Sequence, residues 1–475
     1  IGTVSPRRLI SLGGVIPIVT PEEMAAVDAA APVPVDTLVD RAGREVARVA
    51  LAMLGAAYGR VVTIIAGGGN NGADGRVAGA CLARRGVHVR MIDASSCPTV
   101  LPPSDLVIDA AIGTGYRVGT TRCWVAPDVP PTSRRGAATM VLAVDVPSGI
   151  DALTGAGGPG VLPADRTVTF QALKPGLVLG AGARLAGDVE VVDIGLDVSG
   201  ARQHLVEPQD AEAWWPARSV DAHKWHGAVR IIAGSPGMLG AGRLCAAAAA
   251  RSGAGLVSLS SPGVDPGARS EVVQPRLDAT DFAGPVLADL DRFDALVVGP
   301  GLGRDDRVAA AVRTLIAAAE LPLVIDGDGL FAAARGDGIA ALLRSRGRPT
   351  VLTPHDGEFE LLTGERPGHD RVAVTSALAV ELSSTVLLKG PTTVVASADG
   401  SVLVVDHGDE RLATAGSGDV LAGMIGAALA AGASADHAAA AAAWFHADAA
   451  HRGPRHGLLA GDIVDLLPIA RSDRR

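Results

Sequence analysis

The residues best equipped for chemistry lie in short glycine-rich segments. Gly416, Ser417, Gly418 and Asp419 open the apolar run GSGDVLAGMIGAAL, which predicts a helix beginning at the glycines. First-turn N–H groups of a helix are unpaired and hold phosphate oxygens, and residues without a Cβ let phosphate come close. Asp419 then stands where it can take a proton from a substrate hydroxyl, although an ordinary first-turn helix acid is the plain alternative. Upstream, Lys389 ends an apolar run and enters KGPTT, a Gly-Pro turn with donors for a nucleotide phosphate. TPHDGEFELL places His355 and Glu358 where a strand gives way to a helix. VVGPGLG, VIDGDG and IIAGSPGMLGAG add flexible, ligand-approachable turns at strand ends.

A second group of segments lies in the first half of the chain. GGGNNGADG follows the β-branched run VVTIIA and precedes an Ala/Arg helix, so its N–H groups converge at a strand's carboxyl end. Its spacing fits neither a P-loop nor a dinucleotide fingerprint, and a tight turn is the plain alternative. Asp109 ends a strand before AIGTGYRVG, and Asp145 ends another in VDVPSGID, with Ser148 three residues on. Strand-end residues at 70–74, 109 and 145–148 would meet along one sheet edge. Carboxylate, amide, hydroxyl and carbonyl oxygens suit a hard cation, and the lack of a tight carboxylate cluster argues against a highly charged one. Asp145 fits equally a general acid/base or a loop hydrogen bond.

Composition singles out some of these positions. Of 42 basic residues only Lys174, Lys224 and Lys389 are lysine, and Asn70 and Asn71 are the only asparagines. Arginine replaces lysine at a surface at little cost, but not where a compact ammonium is required.

The elements that must position these residues follow from the apolar pattern. Thr20 and Glu23 form a capping box before a first helix, and Leu38, Ala42, Val46 and Val49 mark a second over roughly 36–57. Short apolar strands at 61–66, 87–93, 106–110 and 140–146 alternate with helical stretches, which predicts a parallel α/β sheet with helices on both faces. The pattern breaks into polar, Pro-containing sequence at 199–222. A second α/β series follows, with strands beginning near 229, 256, 295, 323, 350, 385 and 402 and long helices from 419 to 451. At 475 residues the chain is too long for one core. We read a tail over 1–18, one domain over 19–210 and another over 211–475.

With 48% hydrophobic and 20% charged residues the chain reads as globular. A net charge of −9 favours neither nucleic acid nor an anionic membrane as partner. Cys81, Cys97, Cys123 and Cys245 lack metal spacing and read as reduced cytoplasmic thiols. The N-terminal stretch lacks a continuous apolar signal region, and no run is long enough to span a membrane.

Taken together, GGGNNGADG, DAAIGTG and VDVPSGID resemble the NAD(P)H-hydrate epimerase domain over roughly residues 20–200, with TVTFQALKPG (167–176) and GDVEVVDIGL (187–196) resembling its closing segments. The resemblance implies a Rossmann-like three-layer sandwich. It also implies potassium held by Asn71, Asp109 and Ser148. The hydrated nicotinamide nucleotide would lie against Asn70, Asn71, Gly72, Ala73 and Asp74, the loop Gly113, Thr114, Gly115, Tyr116, Arg117, Val118 and Gly119, and the catalytic Asp145. Ala73 stands where the family commonly has glycine.

The second half, roughly 215–470, resembles ribokinase-like ADP/ATP-dependent NAD(P)H-hydrate dehydratases through GSPGMLGAG, GPGLG, TPHDGE, KGPTT and GSGD in order. That resemblance implies nucleotide contacts at Lys389, Gly390, Pro391, Thr392, Thr393, Gly416 and Gly418, with ADP or ATP and Mg2+ as cofactors. Hydrate contacts fall at Ala241, Gly301, Gly303, His355 and the catalytic Asp419. HKWHGAV departs from the family's HKG-type pattern, which leaves Lys224 without a role. The implied function is bifunctional repair of NADHX and NADPHX, compatible with a homo-oligomer. The nearest rival is a vitamin or sugar kinase fused to a binding domain; an RNA-binding or nucleotide-sensing scaffold fits the acidic chain poorly.

Overall fold

The computed structural model describes residues 9–10, 16–119, 124–132, 138–158, 160–335 and 338–472. Two compact units emerge, Ile1–Gln203 and His204–Arg475. The division falls a few residues before the expected boundary near 210. From His204 on, the polar, Pro-containing segment belongs to the second unit, where Val206, Ala211 and Trp215 join the core and the Val206 N–H donates to the Val404 carbonyl. The first 18 residues, expected as a tail, are in part built in: Leu9–Ile10 pairs in parallel with Asp188–Val192, and Ile16 and Ile18 are buried. Residues 1–8 and 11–15 of that tail lie outside the described residues.

The first unit is built on a parallel sheet. Its strand order is Leu9–Ile10, Asp188–Val192, Arg166–Phe170, Met140–Val144, Leu106–Ala110, Val61–Ala66 and His88–Asp93. The inner strands are apolar on both faces, as a sheet covered twice requires. Val62, Ile64, Leu106, Ile108 and Leu142 pack with Val46, Val49 and Ala50 of the helix Val35–Leu54 and with Leu82 of the helix Asn70–Arg84. Ile65, Val107 and Val141 face the other way, against Leu101, Tyr116 and Trp124 from the connecting segments. Thr20 and Glu23 form the expected capping box.

In the second unit Ala228–Ile232 lies between Leu256–Ser260 and Ala295–Val298, and the parallel series continues through Leu323–Ile325, Thr350–Leu352 and Thr385–Leu388. The sheet then changes sense at Thr393–Ala396, which runs antiparallel to both Thr385–Leu388 and Val402–Val405. The strand Thr393–Ala396 was not expected from the sequence, where KGPTTVVA reads as a strand end and turn. The few residues between Leu388 and Thr393 are too short for a crossover, so the chain must return as a hairpin. Alanine and glycine let the helices close in. At Gly423 of the helix Ser417–Ala430 there is no room for a Cβ, because the Cys245 carbonyl of the helix Leu239–Arg251 lies against it.

Parallel strands send all their carboxyl ends to one edge, where open α/β sheets bind ligands. In the first unit that edge carries Asn70–Asp74, the loop after Leu106–Ala110, and Asp145. In the second it carries 234–241, 299–303, 326–329, 353–358 and Lys389.

Candidate functional site

In the second unit these loops surround a cavity of about 400 Å³ lined in part by Met238, Ala241, Gly301, Asp328, Glu358 and Asp419. Gly416 caps the helix Ser417–Ala430 in the left-handed conformation, φ 90°, which glycine adopts without strain. The chain therefore turns abruptly into the helix and presents its first turn to the cavity. The Lys389 Nζ lies 3.4 Å from where a Cβ on Gly418 would stand, so backbone donors and ammonium converge on one space.

Lys389 is held by carboxylates. Its Nζ donates to Asp326 Oδ1 at 2.8 Å and lies 3.5 Å from Glu358 Oε2. Burial alone would lower the ammonium's pKa, but Asp326 and Glu358 outweigh it and raise it. Asp326 also accepts from the Thr353 hydroxyl at 2.6 Å. Asp328 accepts from the Gly303 N–H at 2.8 Å and from Arg304 Nε at 3.1 Å, which fixes the GPGLG loop. Asp419 has no such lysine of its own. Burial, and then the charge of Asp326, push its carboxyl up to about 7, with Lys389 opposing and Glu358 and Asp328 adding to the rise. A carboxyl poised near neutrality is suited to accept a proton from an alcohol.

The expected residues divide into those that reach the cavity and those that shape it. Ala241, Gly301 and Asp419 line it. His355 is mostly exposed and caps the helix Asp356–Thr363, its Nδ1 accepting from the Gly357 and Glu358 N–H groups. Glu358, three residues on, is the residue of that segment that reaches the cavity. Gly303 acts through its N–H on Asp328. Of the KGPTT loop, Thr392 is buried and Thr393 opens a strand, while Arg371 donates to the Lys389 carbonyl at 2.8 Å. Asp326, Asp328 and Arg304 were missed as site residues. Asp326 carries the signal that marks Asp145, an acid one residue past an apolar strand, whereas Asp328 opens the helix that follows and Arg304 comes after the GPGLG loop.

In the first unit Asp145 adopts φ 64°, a conformation that costs a non-glycine residue about 1–3 kcal/mol and marks functional positions. Its Oδ1 takes the Lys174 ammonium at 2.8 Å and the Thr169 hydroxyl at 3.1 Å. Lys174 is fully buried and donates as well to Thr169 Oγ1 at 2.9 Å and the Phe170 carbonyl at 3.0 Å. A Cβ on Gly113 would lie 3.1 Å from Asp145 Oδ2 and 3.2 Å from Asn71 Oδ1, so loop 113–119, Asn71 and Asp145 meet at one point. Asp74 is buried nearby; desolvation first, then Asp145 and Asp28, push it up to about 8 against Lys174. Asn70 is exposed, Gly72 is pressed against the Gly67 carbonyl, and Ala73 continues the helix. Tyr116 is buried, Arg117 donates to the Thr114 and Tyr116 carbonyls, and Val118 and Gly119 are exposed.

Asp109 and Ser148 come together without a basic partner. Ser148 gives its N–H to Asp109 Oδ2 at 2.9 Å and its hydroxyl to Oδ1 at 2.6 Å. Burial raises the Asp109 pKa against those hydrogen bonds. Asn71 has both amide atoms buried with no hydrogen-bond partner. An unpaired amide oxygen and a desolvated carboxylate are the donors a weakly charged, oxygen-seeking cation takes.

Known proteins share this arrangement of segments. A family model described as NAD(P)H-hydrate dehydratase matches residues 229–467, and one described as YjeF-related protein N-terminus matches 35–96 and 90–176. A ribokinase-like superfamily protein from Enterococcus faecalis superposes with a TM-score of 0.51 at 23% identity, over 57% of this chain and 95% of its own, which shows the fold of the second unit. The bifunctional NAD(P)H-hydrate repair enzyme of Salinibacter ruber is 36% identical over 92% of both chains. That of Mycobacterium tuberculosis is 38% identical over 83% of this chain and 84% of its own. With both halves matched in one relative after another, this chain belongs to the family of bifunctional NAD(P)H-hydrate repair enzymes.

Proposed function

We propose that the second unit dehydrates the S epimer of NADHX and NADPHX at the expense of ADP or ATP, and that the first interconverts the R and S epimers. The observation that carries this reading is the place of Asp419, in the first turn of a glycine-capped helix with Lys389 against that turn, where burial and then Asp326 push its carboxyl up to about 7. Asp419 takes the proton of the C6 hydroxyl as that oxygen attacks the terminal phosphorus, and the bond to the leaving nucleotide breaks. The C6–O bond then breaks, phosphate departs, and loss of a proton from C5 restores the C5–C6 double bond. Lys389 and the first-turn N–H groups hold the phosphate while this happens.

Among the described residues no three His, Cys, Asp or Glu side chains stand close enough to hold a metal by themselves. Mg2+ would therefore be carried largely by nucleotide phosphates and water, with Asp326, Asp328 and Glu358 at hand, and would offset phosphate charge. In the first unit the unpartnered Asn71 oxygen, Asp109 and Ser148 fit potassium, which would order loop 113–119 next to Asp145. Asp145, fixed by Lys174, faces the substrate as the acid/base group. Free Cys81, Cys97 and Cys245 suit a reducing cytoplasm. No helix among the described residues is long and apolar enough to cross a membrane.

Incubating the whole chain with both epimers, ADP or ATP and Mg2+, with and without potassium, tests this directly. Recovery of reduced-nicotinamide absorbance is expected. Neither epimer vanishing faster than in a nucleotide-free control would refute the reading, and a stable phosphorylated product would favour the kinase instead.

A further inference from the structure

The helix Ala435–Arg452 buries a largely alanine surface from Ala438 to Ala450, interrupted by Trp444, Phe445 and Asp448, and within it lies one imidazole, His446, with 4% of its surface exposed. A ring placed among alanines loses its hydration and needs a hydrogen-bond partner to offset that loss. Its Nε2 lies 3.3 Å from the hydroxyl of Ser417, itself buried. Ser417 is the first residue of the helix that carries Gly418 and Asp419. Its N–H is engaged by the Thr414 carbonyl at 3.2 Å. Both its polar groups are therefore turned into the protein, and Ser417 is tied from behind rather than offered to a ligand.

We infer that His446 is a positioning residue for dehydration: through Ser417 it pins the turn 415–419, so that the N–H groups after it, Asp419 and Lys389 keep a common focus. The inference rests on the dehydratase reading of that site. Burial, aided by the Lys389 charge, drives His446 down to about 4, so the ring is neutral at working pH and adds no second cation behind the phosphate site. A neutral imidazole pairs with a hydroxyl as donor or acceptor, and a glutamine amide nitrogen reproduces the place of Nε2. Apolar filling of the same space would keep the packing and lose the tie.

The experiment compares His446→Phe, His446→Gln and Ser417→Ala in the full chain, reading the nucleotide KM and kcat of dehydration, with thermal stability and circular dichroism as the control for folding and epimerisation as the control for the first unit. His446→Phe and Ser417→Ala are each expected to raise the nucleotide KM about tenfold, the scale of losing one buried hydrogen bond. His446→Gln should recover most of that loss, and the Phe/Ala double variant should be no worse than either single one. The inference is overturned if Ser417→Ala leaves the nucleotide KM unchanged, if Gln is as impaired as Phe, or if losses appear only in melting temperature. An unmodified chain that epimerises but never dehydrates would sink the dehydratase reading itself, a distinct failure.

Discussion

Replacing Asp419 with asparagine separates function from folding at a single atom. The carboxyl titrates near 7 in the folded protein against 3.8 as its ordinary value, because burial and the charges of Asp326, Glu358 and Asp328 outweigh Lys389. The folded state therefore holds a proton that the unfolded chain releases between about pH 4 and pH 7. Across that window stability falls as pH rises, and above about pH 7 the full cost of an ionised Asp419 is present. At 1.36 kcal/mol per pH unit this cost is about 4 kcal/mol. Asparagine keeps the shape and cannot ionise. Asp419→Asn should therefore match the parent's stability near pH 4 and exceed it at pH 8, by several degrees in melting temperature. Dehydration should fall by about 10²–10⁴, the contribution of a positioned base, while epimerisation continues. Calorimetry of the full chain at both pH values, with both activities assayed, reads the outcome. A stability difference that does not change with pH, or a variant that still dehydrates at the parental rate, would refute the reasoning.

Further expectations follow from the same geometry. The kcat/KM for dehydration should rise tenfold per pH unit below about 7 and level off above it, since only ionised Asp419 accepts the proton; a flat profile from pH 5 to 8 contradicts this. Lys389→Ala leaves buried Asp326 facing no ammonium and should destabilise the protein by about 3 kcal/mol while weakening nucleotide binding, measured by denaturation and by titration calorimetry. Asp145→Ala should abolish epimerisation but not dehydration, so that the R hydrate persists while the S hydrate is consumed, as chromatography of the epimers would show. Asp109→Asn should remove any potassium dependence of epimerisation, checked by exchanging potassium for a large organic cation, and leave dehydration intact.

Much of this was legible because the residues that do chemistry differ in kind from those that fold the chain. The scarcity of lysine was informative: Lys174 and Lys389 each pair with an acid one residue past a strand, whereas Lys224 is exposed beside Trp225. The two asparagines, singled out by their rarity, are unlike one another: Asn70 is exposed, and Asn71 is half-buried with both amide atoms out of solvent and no hydrogen-bond partner among the described residues. Long-range partnerships were not legible. Asp326 is 63 residues from Lys389, and no local pattern joins them. His355 is placed at the ligand only by the family resemblance, whereas its residue type alone suggests a hydrogen-bonded structural role, and capping three residues before Glu358 is such a role. His446 was invisible in an alanine-rich helix, where neither periodicity nor spacing separates a buried imidazole from an exposed one. The antiparallel return at 393–396 is hidden because its four residues directly follow the Gly-Pro turn and read as part of it.

The two units share an electrostatic arrangement on different sheets. In each, one lysine is locked against a strand-end aspartate at 2.8 Å, Lys174 on Asp145 and Lys389 on Asp326. A second carboxyl lies beside the pair in the first turns of a helix that follows a glycine-rich turn, Asp74 in one unit and Asp419 in the other. A helix N-terminus favours the ionised form by only about 0.3–1 kcal/mol, which is too little to offset burial beside another carboxylate. The lysine cannot neutralise both acids, so the second is held near neutrality, at about 8 in the first unit and about 7 in the second. In the second unit the raised carboxyl is the proposed base, Asp419; in the first it is Asp74, beside the proposed acid/base group Asp145. The dehydration proposed here begins at the C6 hydroxyl, and a base acting there at neutral pH needs a raised carboxyl such as Asp419. Lysine in each pair thus does more than anchor a strand end: engaged by one aspartate at 2.8 Å, it leaves the neighbouring carboxyl without a full counter-charge.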